Sequence, residues 1–77
     1  MAGVTAIEQY VIDRVREMRK QANISQATLA AYIGVSEGHI GEIESTKRNV
    51  KYTIRHLNEL AKIFNCSPKD FLPDNPL

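Results

Sequence analysis

Apolar residues along this chain recur at helical intervals and nowhere alternate with the period of a strand beyond two or three residues, so the expected fold is all-α. The first stripe is Ile7, Val11, Val15, Met18 and Ala22, spaced by four or three, and it predicts one helix from near Ala6 to near Asn23. Thr5-Ala6-Ile7-Glu8 reads as a capping box at its start, the hydroxyl and the carboxylate each taking up a backbone donor. Tyr10 and Ile12 lie off the stripe. They either widen the core face or, with Val4, form an apolar surface for a second copy of the chain.

From Ile24 to Glu44 the pattern becomes two short helices joined by a tight turn. Ser25 is placed to cap the first, Gly34 to end it with a positive backbone angle, and Ser36 to cap the second. Leu29, Ala30 and Ile33 make one apolar face and Val35, Ile40 and Ile43 the next, so the two helices share a core only if they cross steeply. A polar loop, Ser45 to Asn49, follows. Thr53 then caps a fourth helix whose stripe is Ile54, Leu57, Leu60, Ala61 and Phe64, with Asn65 ending it in the left-handed conformation. Ser67-Pro68-Lys69-Asp70 starts a short fifth helix, Phe71 and Leu72 close the core, and Pro73 and Pro76 mark a frayed tail.

At Ser25-Gln26, Leu29-Ala30, Gly34-Val35-Ser36, Ile40 and Ile43-Glu44 the chain resembles the helix-turn-helix of the phage repressor and Cro kind, also called the xenobiotic-response-element (XRE) type. With its outer helices the resemblance covers 11–72, leaving 1–10 as an N-terminal extension running into the first helix and 73–77 as a flexible tail. It implies a five-helix, lambda-repressor-like DNA-binding domain. Family members commonly carry Gly near Thr46, so the exit from the second motif helix differs here.

Composition narrows the function. A chain of 77 residues supports one domain with a small core, since this length buries only about 60% of its unfolded surface, and a deep enzyme pocket is not expected. No apolar run approaches the roughly 20 residues that span a bilayer, and the N-terminus lacks the order of a signal peptide, which predicts a cytoplasmic protein without membrane contact. The single Cys66 forms no internal disulfide, and neither His39 nor His56 stands at metal-ligand spacing from it. No cofactor or metal is expected. Net charge is only +1, but its distribution is uneven: Glu37, Glu42 and Glu44 are followed by Lys47, Arg48, Lys51 and Arg55. A basic segment directly after an acidic helix suggests phosphate contacts at one edge of the motif, with a solvated loop as the plainer alternative.

If Ile40 and Ile43 face the core, a rotation of about 100° per residue puts Gly38, Gly41, Glu42 and Ser45 on the opposite side of helix 36–45, flanked by Glu37 and His39. The base-reading candidates are Glu37, Gly38, His39, Glu42 and Ser45. A Glu accepts from the amino group of cytosine, and His39 donates to guanine or phosphate; alternatively Glu37 is simply a favourable anion at a helix start. Paired hydrogen bonds from Arg, Lys, Asn or Gln are the usual means of base reading, and this face has none of them. Two helical glycines, each costing on the order of 1 kcal/mol relative to alanine, call for close approach to a backbone, either of DNA or of another protein's helix. For phosphates the resemblance points to Gln26 and Ser36, while charge adds Lys47, Arg48 and Lys51, with Tyr52 and Arg55 as second-rank candidates. Arg19 and Glu44 align with a structural ion pair of the family.

The resemblance also implies a homodimer reading a near-palindromic site in double-stranded DNA. Its surface is either Val4, Tyr10 and Ile12 or the region of Ile63, Phe71 and Leu77. The expected function is a sequence-specific transcriptional regulator, a repressor or autoregulator. The alternative is a protein-interaction module that packs the Gly38-Gly41-Ser45 face against a partner protein's helix.

Overall fold

In the computed structural model, which describes residues 3–46 and 49–77, every helix begins on a hydroxyl side chain. Thr5 opens α1 (Ala6–Gln21), Ser25 opens α2 (Gln26–Ile33), Ser36 opens α3 (Glu37–Ser45) and Thr53 opens α4 (Ile54–Phe64). In each case the hydroxyl oxygen accepts an orphan N–H of the first turn, a contact worth about 1 kcal/mol. At α1 the box is complete, Glu8 accepting from the Thr5 N–H at 2.8 Å. At α4 the reciprocal acceptor is His56 Nδ1, which takes the Thr53 N–H at 3.1 Å.

Among the described residues there are four α-helices and no strand; the expected fifth helix is one 3-10 turn, η1 (Pro68–Phe71). Asp70 and Ser67 close that turn on itself, and Leu72 is extended because Pro73 disfavours helical geometry in the residue before it. Stops are as local as starts. Gly34 (φ 75°), Thr46 (φ 57°) and Asn65 (φ 54°) end α2, α3 and α4 in the left-handed region. Thr46 is the costly one, since a β-branched residue there lacks the freedom glycine would have.

The core collects Val11, Ile12 and Val15 of α1, Leu29, Ala30 and Ile33 of α2, Ile40 and Ile43 of α3, Leu60 and Ala61 of α4, and Phe71 of η1. α2 packs on α3 and α4, α1 reaches α3 and η1, and η1 also lies on α4 with Phe71 edge-on to Phe64 at 6.3 Å. Three stripe positions and one expected core residue depart from expectation. Ile7, Ala22, Ile54 and Leu72 are exposed, whereas the off-stripe Ile12 is buried. The buried line of α1 runs Val11, Ile12, Val15, Arg19, rotated toward Ile12, and Ala22 lies past the helix end. Ile12 and Phe71, both offered for a dimer surface, are therefore core residues; Val4 and Ile63 are half-buried, and Tyr10 and Leu77 are exposed.

Candidate nucleic-acid interface

The sequence of α3 sorts its residues by face. Ile40 and Ile43 are fully buried, Glu37, Gly38 and Ser45 are exposed, and His39, Gly41 and Glu42 lie half-buried between them. Ser36 Oγ accepts the His39 N–H at 3.1 Å, and Ser45 Oγ donates to the Glu42 carbonyl at 2.9 Å. No described residue of the protein requires either helical glycine. A Cβ on Gly38 would meet nothing within 4 Å, and one on Gly41 would touch Gln26 Oε1 at an ordinary 3.8 Å. The close approach that would justify them is not made among the described residues.

The C-terminal end of α3 is clamped. Arg19 Nε and Nη2 donate to the two oxygens of Glu44, each at 2.8 Å, in a bidentate pair whose side chains are 11% and 4% exposed. Arg19 Nη1 donates to the Ile24 carbonyl at 2.8 Å, and Gln26 Nε2 donates to Glu44 Oε1 at 3.1 Å. Arg16 Nε stands 3.8 Å from the same oxygen. Burial pushes the Glu44 carboxyl up, but hydrogen bonds from Arg19 and Gln26 and the charges of Arg19 and Arg16 outweigh it, holding Glu44 below its ordinary value. Hydrogen bonding to Glu44 raises Arg19 in turn. One carboxylate thus ties the first helix, the start of α2 and the end of α3 together, and Glu44 is occupied structurally.

The phosphate candidates separate. Ser36 is exposed at the α3 start; its oxygen accepts from the helix, and a hydroxyl used this way keeps its own proton to give to a phosphate. Gln26 is half-buried and commits one N–H to Glu44, leaving one of the two that an amide carries. Arg55 is exposed in the first turn of α4. Lys51 is half-buried, donating to Asn49 Oδ1 at 3.3 Å and pairing with Glu8 at 3.2 Å, so it also fastens the loop to α1. Lys47 and Arg48 lie outside the described residues. Tyr52 is not at the surface. It is 8% exposed, its hydroxyl is buried without a hydrogen-bond partner, and burial followed by the Glu44 charge raises its pKa. An amphipathic side chain sits in or out according to its neighbours, which a pattern does not reveal.

Two residues here were not singled out from sequence. Arg16, half-exposed beside Glu44, is a cation next to the motif; its position three residues before Arg19, on the same face of α1, was the available signal. His56 is buried, edge-on to Tyr52 at 6.2 Å and to His39 of α3 at 6.4 Å. Burial first, then the charges of Arg55 and His39, push its pKa down, and its Nδ1 acceptor role requires the neutral ring. A histidine three residues after a Thr cap is not the usual Glu or Gln, so no box was legible there.

The helix-turn-helix family model matches residues 15–71. The restriction-modification controller protein C.AhdI from Aeromonas hydrophila is 28% identical with a TM-score of 0.67, the match covering 82% of this chain and 92% of that one. The P22 c2 repressor, solved with a synthetic operator, is 31% identical with a TM-score of 0.67, covering 84% and 96%. HppE with Co(II) and substrate has a TM-score of 0.73 at 18% identity, covering 88% of this chain and 37% of that one, a likeness of fold alone. A sequence search of curated proteins gives no match. The chain belongs to the helix-turn-helix family of the XRE type, the DNA-binding transcriptional regulators to which phage repressors and Cro belong.

Proposed function

We propose that this protein regulates transcription in the cytoplasm as a repressor or autoregulator, a homodimer inserting α3 of each protomer into the major groove of a specific operator. The observation that carries the reading is the clamp on α3. Glu44 is held from α1 and α2 at once, so the helix is fixed before DNA arrives, while its Gly38 side stays open for close approach. Glu37, Gly38, His39, Glu42 and Ser45 lie on the reading surface. Ser36, Gln26 and the basic residues Lys47, Arg48, Lys51 and Arg55 lie along the phosphates, which dominate affinity. The P22 c2 repressor, solved with a synthetic operator, is one precedent for this reading, and a restriction-modification controller protein is another.

A second reading has its own support. The exposed positions of α3 carry no Arg, Lys, Asn or Gln, and a face with two glycines also suits a partner helix. Selection from a pool of random duplexes separates the two. A regulator enriches a near-palindromic site with half-sites about 34 Å apart, whereas a protein-interaction module enriches nothing. Replacing Lys47 and Arg48 by Ala sharpens the result: the regulator loses affinity for every sequence alike, and partner binding through α3 is unchanged.

A further inference from the structure

The charges around Glu44 do not cancel. Arg19 already satisfies both of its oxygens in a bidentate pair, yet a second guanidinium, that of Arg16, stands beside the same buried carboxylate. At 3.8 Å its Nε lies beyond hydrogen-bonding range, and this is the sole ion pair of Arg16 among the described residues. The acids nearest to it along α1 are engaged elsewhere, Asp13 accepting from Gln9 at 2.8 Å and Glu17 from Arg14 at 2.6 Å. Two arginines facing one carboxylate leave one positive charge in surplus. Because the Arg16 side chain is 50% exposed and that of Glu44 only 4%, the surplus lies at the surface.

That surplus stands at the edge of α3. Glu44 Oε1, the oxygen that Arg16 faces, also accepts from Gln26, whose own Oε1 would stand 3.8 Å from a Cβ on Gly41. Arg16, Gln26 and Gly41 therefore follow one another from α1, across the start of α2, to the open side of α3. We infer that Arg16 binds a backbone phosphate of the DNA, beside the one that Gln26 meets, through guanidinium N–H groups that the protein leaves unused. The inference rests on the DNA reading proposed above and adds to it a contact from α1. A guanidinium presents its donors in a planar fork that matches a phosphate. Arg19 neutralises Glu44, so an approaching phosphate meets net positive charge, and the attraction of Glu44 restrains Arg16 beforehand, which reduces the freedom lost on contact. Support of Glu44 accounts for less, since a half-exposed partner at this distance adds little to a carboxylate already paired.

Arg16→Ala and Arg16→Lys in the full chain test this, with Lys62→Ala, in the last turn of α4, as a variant of equal charge loss. Alanine is favoured inside a helix, and a melting temperature near that of the natural protein verifies the fold. Binding is read by fluorescence anisotropy over a range of salt, on a duplex selected by the natural protein and on a scrambled one. The expected result is that Arg16→Ala weakens binding to both duplexes by about tenfold per half-site and makes the salt slope shallower by about 0.9 for each protomer bound. Arg16→Lys keeps the slope, and Lys62→Ala changes neither quantity. Replacing the half-site phosphates one at a time by neutral methylphosphonate then finds a position that weakens the natural protein and leaves Arg16→Ala unaffected. An unchanged slope in Arg16→Ala, an equal change in Lys62→Ala, or a scan without such a position overturns the contact and leaves the DNA reading standing. No binding of the natural protein to either duplex at low salt overturns the DNA reading and the contact with it.

Discussion

The two ends of α3 are built on opposite principles. The C-terminal end, from Ile43 to Thr46, is held by a buried carboxylate with two arginines and a glutamine around it, and it leaves through a left-handed threonine. The N-terminal half, from Glu37 to Gly41, is held by one serine cap and the buried Ile40, and its glycines touch nothing that would exclude a side chain. The contrast teaches a division of labour: neighbours from α1 and α2 fix the direction of the helix, and the open half carries two glycines at which another molecule's backbone can come close.

Breaking the clamp should produce the largest effect. Glu44→Ala leaves Arg19 buried without its partner, and chemical denaturation should show a loss of about 3–5 kcal/mol, a large share of the roughly 5–15 kcal/mol that such domains have. A loss below about 1 kcal/mol would mean that the pair behaves as an exposed one. Relieving the exit works the other way. Thr46→Gly removes a β-branched residue from the left-handed region and should raise stability by about 1–2 kcal/mol, read from the same unfolding curves.

On the open half, Gly38→Ala should stabilise the fold by up to about 1 kcal/mol while weakening DNA binding, because the added methyl enters the approach surface. Equal affinity in that variant would show that nothing approaches α3 closely there. The smallest effect belongs to His56, next to this half through His39. Its folded-state pKa lies below the ordinary 6.5, so the unfolded chain binds the proton more readily. The stability it contributes is present above pH 6.5 and is lost as the pH falls through the folded value. His56→Gln keeps a capping-box acceptor and should flatten that part of the stability profile between neutral and mildly acidic pH.

The legible parts of this molecule were the local ones. Thr5, Ser25, Ser36 and Thr53 cap where the sequence placed them, and Gly34 and Asn65 end helices, because a cap involves residues within one turn of each other. Burial was less legible. Ile54 and Ile7 satisfy the helical stripe and still face solvent, since a stripe marks one side of a helix without saying how far along it a neighbour reaches. Leu72 failed as a core residue once η1 was a single turn, and Tyr52 moved inward with its hydroxyl. In the interface, the Arg19–Glu44 contact came from family resemblance rather than spacing, as the two are 25 positions apart. Gln26 shows the limit of that route: it does meet α3, through Glu44, a contact that the resemblance to phosphate binders did not suggest.

The central claim is that a pre-fixed α3 reads DNA, and fluorescence anisotropy tests it most directly. The full chain is titrated against a selected duplex and a scrambled one at two salt concentrations. If each protomer neutralises four phosphates, log affinity for the selected duplex should fall with log salt at a slope of about −7 for the dimer, with much weaker binding to the scramble. Equal weak binding to both duplexes would contradict sequence reading, and no binding at low salt would contradict the DNA interface itself.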